Sequence, residues 1–197
     1  MAFEALLQSY KQLIKLKKLK RTGWLRSGVA HSDCESVAEH SFGTGFLGFV
    51  IACEIYPELN AERVMLLGCI HDLGEAVTGD VLPWDKAEIA DFDAQERAGA
   101  LQTTTGLKAL PKFMELYDEY HAGKTPEAKL VRQVDKLEML LQAYCYEKEL
   151  GLDLQSFFEN HPPESFDDAL QPLINYLNYG RYEIFTCWVF YQLLCLL

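Results

Sequence analysis

Positive charge is scarce in this chain: 18 lysines and arginines stand against 29 aspartates and glutamates, a formal charge of −11 over 197 residues. A protein that coats duplex nucleic acid must neutralise phosphates with clustered basic side chains, so that class is set aside. A small phosphorylated substrate is not, because a bound cation can supply the missing charge. Cysteine pairing is also missing. The six cysteines (34, 53, 69, 145, 187 and 195) show no C-x-x-C spacing and most lie in apolar segments, which reads as reduced core residues. A secretory apolar run and a small-residue cleavage site are lacking too, which points to the cytoplasm. The apolar run at 184–197 is 14 residues long and includes Thr186 and Gln192. It is too short for a bilayer and predicts a buried or interface helix, with homodimerisation as its use. No Pro-, Ser- or Gln-rich stretch breaks the chain, so one globular unit over 1–197 is expected.

What basic charge exists is concentrated at the start. Residues 1–26 hold Lys11, Lys15, Lys17, Lys18, Lys20, Arg21 and Arg26 against Glu4 alone, which leaves 11 basic and 28 acidic side chains, −17, on the remainder. Leu6, Leu7, Tyr10, Leu13 and Ile14 recur at helical spacing, so the segment predicts an amphipathic helix docked on the core. A membrane-surface helix or transit peptide is the alternative.

Helical periodicity and caps dominate, and no sustained alternation suggests a sheet. Ser36-Val-Ala-Glu39 is a capping box that opens a helix to about 55, before Pro57. Asn60 caps a helix over 61–77, stopped by Thr78-Gly79. A polar helix over 86–104 and another over 111–120 follow. Thr125-Pro126 starts a long helix to about 150, which Gly151 ends, and 165–168 open a last helical region. The expectation is an all-α bundle of about six to eight helices, whose site is built from side chains on facing helices.

His71-Asp72 sits in an apolar helical context with Glu75 one turn on, so an imidazole and two carboxylates converge on one flank. Burying such a cluster without a cation is costly. An arginine could pair with Asp72, but a divalent metal explains the histidine as well. His40 and Asp135 stand among apolar residues on two other predicted helices. Taken alone, each is ordinarily a satisfied or solvated residue. Together, two histidines and two aspartates on three helices suit a six-coordinate Mn, Co, Mg or Fe site better than closed zinc. Gly43, Gly45, Gly48, Gly68 and Gly74 cost helix stability but let backbones approach around such a site.

The order His40, His71-Asp72, Asp135 resembles the HD-domain metal-dependent phosphohydrolases, an all-α superfamily. The blocks RTGWLRSG (21–28), ESVAEHS (35–41), NAERVMLLGCIHDLGEAVTGDV (60–81) and KLVRQVDKLEMLLQA (129–143) are similar to its 5′-deoxynucleotidase branch. The resemblance covers roughly 5–150 and leaves 151–197 unassigned. It implies that His40, His71, Asp72 and Asp135 hold one divalent ion, Mn, Co or Mg, with Fe, Ni or Zn as alternatives. It implies Glu75 as general acid/base, and Asp80 as orienting a water or helping to hold a second cation. A turn residue is the other reading of Asp80. Trp24 matches a family tryptophan that shapes the substrate pocket, although a core anchor reads equally well. The bacterial pattern has Arg directly before that tryptophan; Gly23 stands there, which hands the phosphate contact to Arg21 or Arg26. Glu119 resembles a family acid but also fits a helix end, and His31, His121 and His161 are expected to take no catalytic part.

The activity implied is hydrolysis of a deoxyribonucleoside 5′-monophosphate, with a small-molecule nucleotide as partner and neither nucleic acid nor membrane. A nucleoside triphosphate hydrolase of the same superfamily, or a non-catalytic metal-bound regulatory protein, are the alternatives. Guanosine tetraphosphate hydrolases and cyclic-dinucleotide phosphodiesterases fit less well, because Ala76 follows Glu75 and a glutamate, not lysine, stands at 75.

Overall fold

The computed structural model describes residues 2–182. The predicted helix at 184–197, with Cys187 and Cys195, lies outside the described residues. Within them the chain is helical and has no strand beyond an isolated bridge between Lys20 and Ser36. The elements are α1 (Ala2–Lys18), α2 (Thr22–Arg26), α3 (Val37–Ile55), α4 (Ala61–Ile70), α5 (Glu75–Thr78), α6 (Pro83–Lys86), α7 (Phe92–Thr104), α8 (Leu110–Ala122), α9 (Pro126–Leu150), α10 (Gln155–Asn160) and α11 (Gln171–Tyr182), with a 3₁₀ turn at Pro163–Ser165. Seven of these have ten or more residues among the described residues, within the range expected.

Local chemistry sets most boundaries. Both halves of the Ser36/Glu39 capping box form, and Asn60 and Thr125 accept from the backbone N–H groups of Arg63 and Ala128. Gly123 and Gly151 adopt φ values of 60° and 68° and end α8 and α9.

Two boundaries differ from expectation. The helix from Asn60 stops at Ile70 rather than 77. Leu73 N–H donates to Ile70 O (3.1 Å) and Glu75 N–H to Asp72 O (3.0 Å), so three-residue turns replace helical ones over 71–74. Within these turns the His71 Nε2 and Asp72 Oδ2 atoms come within 3.1 Å of each other. The polar helix starts at Phe92, not 86, because Pro83 opens a separate short turn and Asp91 takes a left-handed φ of 53° that a helix cannot accommodate.

Helix α9 is the centre of the core: Val131, Val134, Leu137 and Leu140 are buried against α3, α4, α8 and α11. Helix α1 docks on α3, α5 and α7 through Leu16, in a second cluster with Val37, Leu73 and Tyr117. Its predicted apolar stripe is largely open, since Leu6, Leu7, Tyr10 and Leu13 are exposed. The cysteine expectation is corrected in the same way. Cys34 is buried, but Cys53, Cys69 and Cys145 are exposed, all four free, because they lie on the outward flanks of their helices.

Candidate metal centre and its cavity

Three packed segments bring the four predicted ligands together. His40 lies in the first turn of α3, fixed by the capping box; His71 and Asp72 occupy the tight turns after α4; Asp135 lies on α9. Helices α3 and α4 cross where Gly45 meets Gly68, and a Cβ on Gly68 would stand 2.7 Å from the Gly45 Cα. His40 Nε2 is 3.0 Å from Asp135 Oδ1, and His71 Nε2 is 3.1 Å from Asp72 Oδ2. The cross distances, His40 to Asp72 and His71 to Asp135, are both 3.8 Å.

The outer ring nitrogens are already engaged. His71 Nδ1–H donates to the Gly68 carbonyl (2.7 Å), which turns Nε2 towards Asp72. His40 Nδ1 is 2.6 Å from Glu138 Oε2. Burial opposes charge on Asp72, yet His71, Arg21 and His40 hold its carboxyl far below the usual range. Asp135 is lowered against the same burial by His40 and His71. His40 is pushed up to about 10: burial and Arg21 lower it, and Asp135 and Glu138 outweigh them. The fit to a cation rests on two buried atoms that no well-formed hydrogen bond engages: His71 Nε2 and Asp72 Oδ2 meet each other at 3.1 Å, and His40, His71 and Asp72 offer ligand atoms within 4.8 Å of one another. Two imidazole nitrogens and two carboxylate oxygens form a donor set for a divalent ion.

Asp72 and Asp135 open into a cavity of about 680 Å³. Glu75, at the start of α5, is 4% exposed; its Oε2 has no partner. Burial, then Asp72 and Asp80, raise its pKa well above that of an ordinary glutamate. Asp80 has its oxygens taken up: Oδ1 accepts from Arg21 (3.1 Å) and Oδ2 from the Thr22 N–H, while Thr22 Oγ1 donates to the Asp80 carbonyl (2.7 Å). Arg21 also stands 3.6 Å from Asp72 Oδ2, so it ties α2 to the centre. Arg26 pairs with Asp85 at 2.7 Å on the cavity rim.

Trp24 borders the cavity but is only 2% exposed. Phe157 packs on it (4.5 Å between centroids), Tyr146 meets it edge-on (5.4 Å), and its Nε1–H donates to Glu35 (2.7 Å). Of the two readings open for Trp24, this burial favours the core anchor at the cavity wall. Trp84 is the opposite case: it lines the same cavity and is 62% exposed.

Sequence reasoning missed several neighbours. Glu138 lies one helical turn beyond Asp135, a spacing that could have revealed it. Tyr120 donates its hydroxyl to Asp135 Oδ2 (3.0 Å). Lys86 and Glu96 pair at 3.2 Å inside the cavity. His121 and His161, expected to stand apart, also line it. Glu119 accepts from Arg63 and Thr125 and fastens α8 to the start of α9.

Residues 13–167 match the HD domain, past Leu150 where the sequence reading ended. The 5′-deoxynucleotidase HDDC2 of Dictyostelium discoideum is 36% identical over 166 residues, covering 78% of this chain and 86% of that protein. Its human namesake is 32% identical over 171 residues, 80% of each chain. A conserved hypothetical protein of Pyrococcus furiosus is 30% identical with a TM-score of 0.72, over 88% of this chain and 99% of that one. The residue order, the fold around it and these likenesses agree: the chain belongs to the HD domain family.

Proposed function

We propose that this cavity hydrolyses deoxyribonucleoside 5′-monophosphates to deoxynucleoside and phosphate. The observation that carries the reading is the convergence of His40, His71, Asp72 and Asp135, whose facing nitrogen and oxygen atoms lie 3.0 to 3.8 Å apart, beside a buried Glu75 whose Oε2 has no partner. The naming of several relatives as 5′-deoxynucleotidases supports it.

His40, His71, Asp72 and Asp135 hold the divalent ion, with Mn, Co or Mg as our reading of its identity. When bound, such an ion neutralises phosphoryl charge and acidifies a coordinated water. Burial, Asp72 and Asp80 raise the pKa of Glu75, and its protonated carboxyl gives the proton from Oε2 to the leaving 5′-oxygen as water adds to phosphorus and the P–O bond breaks. Glu138 orients His40, and Arg21 holds Asp72 and Asp80 in place. Asp80, with both oxygens engaged by α2, acts as a positioning residue. The open ring of Trp84 is the surface we assign to the base.

We read the unit as the whole chain, 1–197, acting in the cytoplasm as a homodimer. No helix among the described residues is long and apolar enough to cross a membrane. Phe42 and Phe46 stack at 6.3 Å on the exposed side of α3, an apolar surface suited to a second copy. Light scattering at micromolar concentration tests that.

The activity is tested by phosphate release from deoxy- and ribonucleoside mono- and triphosphates with Mn, Co, Mg or EDTA, beside D72A. Release from deoxynucleoside monophosphates that both EDTA and D72A abolish is expected. Turnover of triphosphates alone overturns the substrate assignment, and metal binding without any release overturns the enzyme.

A further inference from the structure

Six basic side chains line the cavity: Arg21, Arg26, Lys86, Arg97, Arg132 and Lys136. Four are neutralised by carboxylates. Arg21 has Asp80 and Asp72, Arg26 has Asp85, Lys86 has Glu96 at 3.2 Å, and Arg97 has Asp118 at 2.7 Å. Among the described residues Arg132 and Lys136 have no carboxylate partner. In a chain with 29 acidic side chains against 18 basic ones, two cavity cations without a counter-charge need a reason.

Their placement supplies one. Positions 132, 135, 136 and 139 recur at three- and four-residue spacing on α9, and all four line the cavity. The two cations therefore flank Asp135 on a single helical face. Arg132 is seated over the chain at the end of α8. A Cβ on Gly123, whose φ is +60°, would run into the Arg132 guanidinium, with Cδ and Cζ at 3.2 and 3.3 Å. The residues of α10 that line the cavity, Ser156, Phe157 and Asn160, include no carboxylate to compete.

We propose that Arg132 and Lys136 form the phosphate subsite, donating hydrogen bonds to the non-bridging oxygens of the substrate's phosphomonoester. The proposal rests on the phosphomonoesterase reading above and moves its phosphate contact from Arg21 and Arg26 to α9. A monoester carries a charge of about −1.5 to −2 at pH 7, which two unspent cations match. A deoxynucleoside product offers nothing to them; inorganic phosphate does.

The test uses the full, Mn-loaded chain and the variants R132Q, K136Q and the pair. Both side chains are exposed, so the thermal midpoint is expected to stay within about 2 °C of wild type. Each single variant raises KM for a deoxynucleoside monophosphate about tenfold, as loss of a charge-assisted hydrogen bond does. Product inhibition by inorganic phosphate weakens in parallel, while inhibition by the deoxynucleoside is unchanged, and K136R recovers most of the loss. A double variant whose KM and phosphate inhibition stay within twofold of an active wild type overturns the subsite. Should the wild type release no phosphate, the substrate reading fails separately. Calorimetric titration with inorganic phosphate then decides the subsite, which stands if the double variant binds about tenfold or more weakly and falls if the two bind alike.

Discussion

Glu138 Oε2 lies 2.6 Å from His40 Nδ1, and this contact aims the opposite nitrogen, Nε2, at Asp135 3.0 Å away. A carboxylate behind a ligating histidine fixes the ring and strengthens its donor nitrogen; losing one typically costs 10- to 100-fold in metal affinity. E138A is expected to weaken Mn binding by about that factor in competition with a chelating dye. E138Q, whose amide oxygen still accepts from Nδ1–H, is expected to recover most of it. Equal affinity in E138A and wild type would reduce Glu138 to a neighbour.

Without metal, His40 carries a proton up to pH about 10, where an ordinary imidazole loses it near 6.5. The folded value lies above the unfolded one, so this group's stabilisation is fully present below about 6.5 and is lost as pH rises towards 10. The melting temperature of the EDTA-treated protein is expected to fall across that window. Metal must displace the proton, so apparent affinity should rise about tenfold per pH unit between 7 and 9. A pH-independent affinity would contradict the engagement of His40.

The parts of the fold that were legible depend on residues close in sequence. Ser36 with Glu39, and Thr125 with Pro126 and Gly151, state a helix start or stop through their own caps, and α3 and α9 form where they say. The break after Ile70 was not legible. It accompanies Gly74 lying against the Glu96 carbonyl and Tyr117 hydroxyl, where a Cβ has no room, and those partners are remote in the chain. Which of its two readings suits Trp24 was not legible for a similar reason, since Phe157 and Tyr146 cover it from more than a hundred residues away. That His40, His71, Asp72 and Asp135 would converge was legible because histidine and aspartate at apolar helix positions are costly without a shared cation. Which arginine remained free was not, because it depends on where every carboxylate in the cavity points.

Glu75 is expected to act as an acid. E75Q keeps the shape of the neutral side chain but has no proton to give, so kcat should fall by about 10²- to 10⁴-fold with KM little changed. In wild type, activity should decline as pH rises through the raised pKa, and that alkaline limb should vanish in the variant. Burial and Asp72 raise the folded value above the unfolded one, so the metal-free protein loses stability from this group as pH rises. E75Q should therefore melt higher than wild type at pH 8 and nearer to it at pH 4.

Trp84 and Trp24 should separate binding from folding. W84A removes an exposed ring, so KM for deoxynucleoside monophosphates should rise about 5- to 50-fold, the worth of one stacked base, with stability unchanged. W24A empties a core position and should destabilise the fold by about 3 kcal/mol or more. A KM unmoved in W84A would place the base elsewhere in the cavity.

Gly68 offers a contest between two opposing effects. Helix propensity alone predicts that Ala at this interior position of α4 gains about 1 kcal/mol over Gly. The new Cβ, however, would stand 2.7 Å from the Gly45 Cα and 2.8 Å from the Gly45 nitrogen, backbone atoms of α3 that have no rotamer to escape into. Overpacking of this kind costs about 1–3 kcal/mol, more where backbone must move. The clash should win, and G68A should melt below wild type by up to about 8 °C. Because α3 carries His40 and α4 leads into His71, pushing the helices apart also separates two ligands, so Mn affinity should fall together with the melting temperature. G23A is the control, with its nearest neighbour, a Leu82 methyl, at an ordinary 3.6 Å. There propensity acts unopposed, and the melting temperature should hold or rise.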